Sequence, residues 1–183
     1  MNVESFLIDG QFNFVTMNPV IFPYISAPLG MIPYTSTSIL EEFEKHFITD
    51  NSNISNIIIT HYPHTSTWTA HPSKIKQIYS KGRIFLSGHL HPRSREILHY
   101  GNLLSAVTAP TGYGDHTGLV TVEKNAAIVY HQINPQKADP IIVVTYPVPY
   151  EQISNVQIFN KRNFPVRVLG FSERLLNLQL IID

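Results

Sequence analysis

The chain has no cysteine in its 183 residues. That excludes disulfides, thiolate zinc sites and cysteine nucleophiles within it, and it leaves the compartment open. Charge is sparse as well. Only 14% of residues are Asp, Glu, Lys or Arg, and 13 basic residues balance 13 acidic ones. No net field therefore favours nucleic acid or an anionic membrane surface, and no nucleic-acid partner is expected. No run of about 18 apolar residues occurs, so no membrane-spanning helix is expected. Residues Met1-Asn2-Val3-Glu4-Ser5 lack the basic start and apolar stretch of a signal peptide. Taken alone, the sequence reads as a soluble chain without internal repeats or low-complexity segments.

What is present is a large apolar fraction. Hydrophobic residues make up 43%, which argues against disorder and for a buried core. The length suits one ordinary domain, or one domain and a piece of another. Thirteen prolines and nine glycines imply many loops and strand ends.

The stretch richest in chemistry is Ile84-Phe85-Leu86-Ser87-Gly88-His89-Leu90-His91. A short apolar run, read as a buried strand, ends on a glycine and two histidines. Ligands in α/β proteins bind at the C-terminal tips of such strands. Imidazole is a frequent ligand of divalent metals. Gly88 is expected to supply the sharp turn that lets both histidines reach one centre. A second apolar run, Ile57-Ile58-Ile59-Thr60, ends in His61-Tyr62-Pro63-His64. Between them, Pro72 to about Lys81 reads as a helix stopped by Gly82. The unit is then strand, helix, strand, with parallel strands that deliver His61, His89 and His91 to one edge. Three histidines there could hold one zinc with an open water position.

Around this unit, Asp9-Gly10 between two apolar stretches signals a β-hairpin. Residues 18–33 carry four prolines and read as an extended loop. Ser38 with Glu41 reads as a capping box opening a helix that runs to about Phe47, with Ile39, Leu40, Phe43 and Phe47 on its apolar side. Past Arg95, short strands at 96–100, 102–108, 118–123 and 127–132 read as an antiparallel meander, interrupted by the glycine-rich loop 109–118. Strands are expected again at 141–145, 165–171 and 175–182. Of the nine histidines, His64 and His116 are the further candidates to line a site. His46, His71, His99 and His131 read as structural or exposed.

Thr60-His61-Tyr62-Pro63 after one strand and Ser87-Gly88-His89-Leu90-His91 after the next resemble the last two metal motifs of the calcineurin-like metallophosphoesterases. The loop 18–33, Gly112-Tyr113-Gly114-Asp115 and the segment from Asp139 to Phe171 are similar to the transmembrane protein 62-like branch of that family. The resemblance implies an α/β fold: the C-terminal half of a metallophosphoesterase sandwich over residues 1–134, then the first strands of an immunoglobulin-like domain over 135–183. It implies a divalent metal pair (Zn, Fe or Mn), with His61 and His89 on one metal and His91 on the other. It also implies hydrolysis of a phosphoester substrate by in-line attack between the metals. Membrane helices are expected in full-length relatives of that branch.

The family's N-terminal motifs, Asp-x-His, Gly-Asp-x-x-Asp and Gly-Asn-His-Asp/Glu, do not occur here. The expectation is therefore a fragment or truncated relative of a phosphoester hydrolase, itself without the bridging carboxylate. Two alternatives stand beside it: a catalytically inactive binding or interaction module of the same lineage, and a mononuclear three-histidine hydrolase.

Overall fold

The computed structural model describes residues 3–19, 33–51, 53–90, 96–100, 103–108, 117–122, 128–134, 140–149, 152 and 165–172. In chain order the elements begin with β1 (Val3–Ile8), β2 (Phe12–Met17), β3 (Tyr34–Thr35), α1 (Thr37–Lys45), β4 (Ser55–Thr60), β5 (Trp68–Thr69) and α2 (Pro72–Tyr79). They continue with β6 (Ile84–Ser87), β7 (Glu96–Tyr100), β8 (Leu103–Val107), β9 (Thr117–Val122), β10 (Ile128–Ile133), β11 (Ile141–Tyr146) and β12 (Arg167–Phe171).

Six strands form the central sheet in the order β1-β2-β4-β6-β8-β7. The inner four are parallel to one another, and β1 and β7 pair antiparallel at the two edges. The mixed sheet with two helices answers to the α/β expectation. Asp9 and Gly10 both have positive φ, 50° and 65°, and Gln11 N–H donates to the Ile8 carbonyl at 3.1 Å. This is the primed turn that matches the twist of a hairpin, and it closes β1 on β2 as the sequence predicts.

Side-chain alternation divides the core into two layers. Val15, Ile58, Phe85 and Leu103 point to one face, where Leu40 and Phe43 of α1 and Ile75, Ile78 and Tyr79 of α2 pack on them. Ile57, Ile84, Leu104 and Ala106 point to the other, under Tyr130 of β10. Because both faces of β4 and β6 are covered, their sequences are apolar without alternation. Each fully buried Ile or Phe of this kind contributes about 1.5–3 kcal/mol. Gly82 lies where the chain enters β6 beneath this core. A Cβ there would sit 2.7 Å from Ile58 Cδ1 and 3.0 Å from Leu103 Cδ1.

At the N-terminal end of the parallel strands, two buried asparagines join the loops. Asn13 Nδ2 donates to Asn56 Oδ1 at 2.8 Å and to the His46 carbonyl at 2.8 Å. Asn56 in turn accepts from Ile48 N–H at 3.1 Å and donates to the carbonyls of Ile48 and Lys81 at 2.9 and 3.2 Å. Every one of these polar groups is thereby satisfied away from water.

Three expectations are corrected. The N-cap of α1 is Ser36, not Ser38; neither makes a side-chain cap bond, and the helix ends at Lys45. The two serine hydroxyls instead lie 3.0 Å apart. Second, β8 is not a member of a separate meander: it pairs parallel with β6 and extends the central sheet. Its sequence, Leu103-Leu104-Ser105-Ala106-Val107, is buried at every position, as an inner parallel strand requires. Third, the special backbone beside Gly88 belongs to His89, described below. The segments 20–32, 109–116 and 173–183, with the predicted proline-rich loop, most of the glycine-rich loop and the last strand, lie outside the described residues. Among the described residues, no helix is long and apolar enough to cross a membrane.

Candidate metal centre

Strands β4 and β6 are in register through Ile57↔Ile84, Ile58↔Phe85 and Ile59↔Leu86. One ends at Thr60 and the other at Ser87. Residues 61 and 89 therefore emerge at the same edge. The two loops are tied together there, since Gly88 N–H donates to the His61 carbonyl at 3.0 Å.

The imidazoles of His61 and His89 meet. His61 Nε2 lies 3.3 Å from His89 Nδ1, the ring centroids are 5.2 Å apart, and both side chains are exposed. Two nitrogens bound to one tetrahedral zinc at about 2.0–2.1 Å would be roughly 3.3–3.4 Å apart. The observed separation fits that span. It equally fits a proton shared between the rings, with either ring as donor.

The arrangement carries backbone strain. His89 has φ 68°, and Leu90 N–H donates to the Gly88 carbonyl at 2.8 Å. This is a γ-turn of the rare positive-φ type, unfavourable for a residue with a Cβ. Gly88 has no such φ, and a Cβ on it would meet its nearest neighbours at 3.8 and 3.9 Å, ordinary contact. The turn that aims the imidazole thus rests on the histidine itself. Strain of this kind persists only where surrounding contacts over-determine it. Here the buried ring of Tyr62 lies against His89, centroids 4.3 Å apart. Thr60 Oγ1 donates to the Tyr62 carbonyl and fixes that residue after the strand. Tyr62 was not singled out from sequence as part of the site; its signal was its place directly after His61.

His64 is not with this pair. It turns into the helix-covered core, between the rings of Tyr79 and Phe85, with Nδ1 2.9 Å from Ser105 Oγ of β8. Burial disfavours its charged form and lowers its pKa below the ordinary 6.5. His91 and His116 lie outside the described residues. His71 stands at the N-cap of α2 and meets Thr37 Oγ1 through Nε2 at 2.6 Å, while His46 meets Ser5 Oγ at 2.8 Å through Nδ1. Both make structural contacts of the kind expected for them. Among the described residues, no group of three or more His, Asp or Glu side chains is placed to hold a metal. Of the three histidines expected at this edge, His61 and His89 lie among the described residues and meet each other.

No protein-family model matches the chain, and no curated protein matches it in sequence. Among solved structures it is similar to a protein named "Putative 5'-Nucleotidase from Staphylococcus aureus", solved in complex with alpha-ketoglutarate. The similarity has 12% identity and a TM-score of 0.43, over 70% of this chain and 28% of that one. The chain thus spans less than a third of the length of that protein.

Proposed function

We propose that the chain carries part of the metal site of a phosphoester hydrolase, with His61 and His89 as two ligands of one divalent cation. The observation that supports this most directly is the 3.3 Å separation of their facing nitrogens. The strained turn at His89 supports it too, because that strain serves to bring the imidazole to its partner. In the metallophosphoesterase pattern, His91 would serve a second cation, and carboxylates from other segments would complete the pair. The cations, Zn, Fe or Mn, would neutralise charge on the phosphoryl oxygens. The chain's own contribution would be to hold the two imidazole nitrogens 3.3 Å apart, close to the span of two ligands on one cation.

The same proposal divides the chain at residue 134. Residues 1–134 take the catalytic-domain lineage, and 135–183 take the start of an immunoglobulin-like domain. The antiparallel pairing of β11 with β12 supports the second assignment. A relationship to the transmembrane protein 62-like branch, with membrane association through segments of the longer relatives, belongs to this reading.

A second reading is favoured by one specific observation. The described residues offer two imidazoles and no third ligand. A catalytically inactive binding or interaction module of the same lineage needs no complete metal site.

The test is calorimetric titration of the purified chain with Zn²⁺ and Mn²⁺, alongside p-nitrophenyl phosphate hydrolysis. One saturable site lost in both His61→Ala and His89→Ala is the expected result. Cation binding that survives the double substitution would overturn the assignment. Turnover that depends on His89 would select the hydrolase, including its mononuclear form, over the inactive module.

A further inference from the structure

Among the described residues, three links join the ends of β4, β6 and β8. Gly88 N–H donates to the His61 carbonyl at 3.0 Å and joins the loop after β6 to the loop after β4. Thr108 donates to the Ser87 carbonyl through its N–H at 2.8 Å and through Oγ1 at 3.2 Å, which joins the end of β8 to the end of β6. The third link runs from the loop after β4 to β8 itself: His64 Nδ1 lies 2.9 Å from Ser105 Oγ. The three together close a ring of contacts around the strand that carries His89.

The third link differs in kind from the other two. β4 and β8 are not neighbours in the sheet, because β6 lies between them. Phe85 of β6 is in register with Ser105 of β8. The His64 imidazole therefore passes over Phe85, ring centroids 5.7 Å apart, to reach the strand beyond it. Tyr79 of α2 stands edge to face with His64 at 6.4 Å. Ser105 is 1% exposed, and a buried hydroxyl left without a partner is costly, so the bond favours one seat for the ring. The chain around His64 is bonded as well. Ser66 N–H and Thr67 Oγ1 both donate to the Pro63 carbonyl, at 3.0 and 3.3 Å, and Thr60 Oγ1 donates to the Tyr62 carbonyl. A displacement of His64 is thus passed along a short, internally bonded segment to His61.

We propose that His64 is a positioning residue for the His61–His89 pair. Its link to Ser105 across β6 fixes the loop that aims His61 at His89. The inference rests on the reading of that pair as the functional site. Groups that orient ligands from behind, with their own side chains locked by packing and hydrogen bonds, govern how well a site holds its geometry. His64 serves the site in this way from the core side.

The test uses the full chain without added cation and reads the contact between the two imidazoles by NMR. A nuclear Overhauser cross-peak between ring protons of His61 and His89 is expected in the natural chain. Ser105→Ala removes the hydroxyl and leaves His64 in place. His64→Phe keeps a ring beside Tyr79 and Phe85 and removes the hydrogen bond. Both variants should lose most of the cross-peak. Asn56→Ala, which disturbs the opposite end of the sheet, should keep it, a difference that general destabilisation does not produce. Zn²⁺ affinity, titrated separately, should fall about tenfold in Ser105→Ala. A cross-peak of natural intensity in either folded variant would overturn the proposal, as would its absence from the natural chain or its loss in Asn56→Ala. His64→Phe decides the matter if Ser105→Ala does not fold. A natural chain that binds no Zn²⁺, with a cross-peak that still depends on Ser105, would remove the ligand reading and leave the positioning role standing.

Discussion

His61 Nε2 and His89 Nδ1 lie 3.3 Å apart across the tips of two parallel strands, although 28 residues separate them in sequence. Two features produce that approach: the register of β4 with β6, and the γ-turn centred on His89. The first is imposed by two buried apolar strands. The second costs conformational energy and yields the contact between imidazoles.

The cost at His89 is measurable. His89→Ala and His89→Gly both remove the imidazole, but only glycine accepts the positive φ without strain. The glycine variant should be more stable than the alanine variant by about 1 kcal/mol in urea unfolding. Equal midpoints would show that the turn relaxes once the imidazole is gone.

The two glycines beside the central strand should respond differently to a methyl group. Gly82→Ala drives a Cβ to 2.7 Å from Ile58 Cδ1, in a fully buried environment, and should cost about 1 kcal/mol or more. Gly88→Ala meets only ordinary contacts at 3.8 and 3.9 Å and should change stability by less than about 0.5 kcal/mol. Thermal or urea unfolding of the pair checks this, and the reverse order would contradict the packing described.

Asn56 closes the opposite end of the sheet from the histidines. Asn56→Ala leaves Ile48 N–H, the Lys81 carbonyl and the Asn13 amide without their partner. A loss of about 2–4 kcal/mol is expected in urea unfolding, the range for a broken buried hydrogen-bond network. The cation binding proposed at His61 and His89, measured where the variant remains folded, should be unchanged.

The half-buried His64 should give the fold a dependence on acid. Its folded pKa is lowered by desolvation, so between the ordinary 6.5 and that lower value the unfolded chain binds more protons. Its contribution is complete above about pH 6.5 and is lost progressively as the pH falls below it. Unfolding midpoints of the natural chain and His64→Gln, followed from pH 7.5 to 5, should therefore converge or cross on acidification. Parallel profiles would show that His64 does not titrate differently in the two states.

How far the sequence carries the fold depends on where its information is local. The Asp9-Gly10 turn, the unalternating strands β4 and β6 and the Pro72 start of α2 were all readable, because each rests on backbone preference or on burial of a contiguous segment. The place of β8 was not, since pairing partners are a matter of which edge is open. Yet its run Leu103-Leu104-Ser105-Ala106-Val107 carried the same unalternating signal that identified β4 as an inner strand. Ser38 and Glu41 have the three-residue spacing of a capping box, yet the N-cap is Ser36, two residues earlier, and makes no side-chain cap bond.

The histidines divide along the same line. The sequence by itself determined that His61 and His89 would emerge at one sheet edge, because each follows an apolar strand in a strand–helix–strand unit. Only the tertiary structure decided that their nitrogens stand at ligand spacing, that His89 rather than Gly88 carries the unusual backbone, and that His64 turns into the core beside Ser105. Those outcomes depend on register, on ring packing by Tyr62 and Tyr79, and on which loop atoms bond across the strand tips. Such relations arise between segments distant in sequence, and no local pattern encodes them.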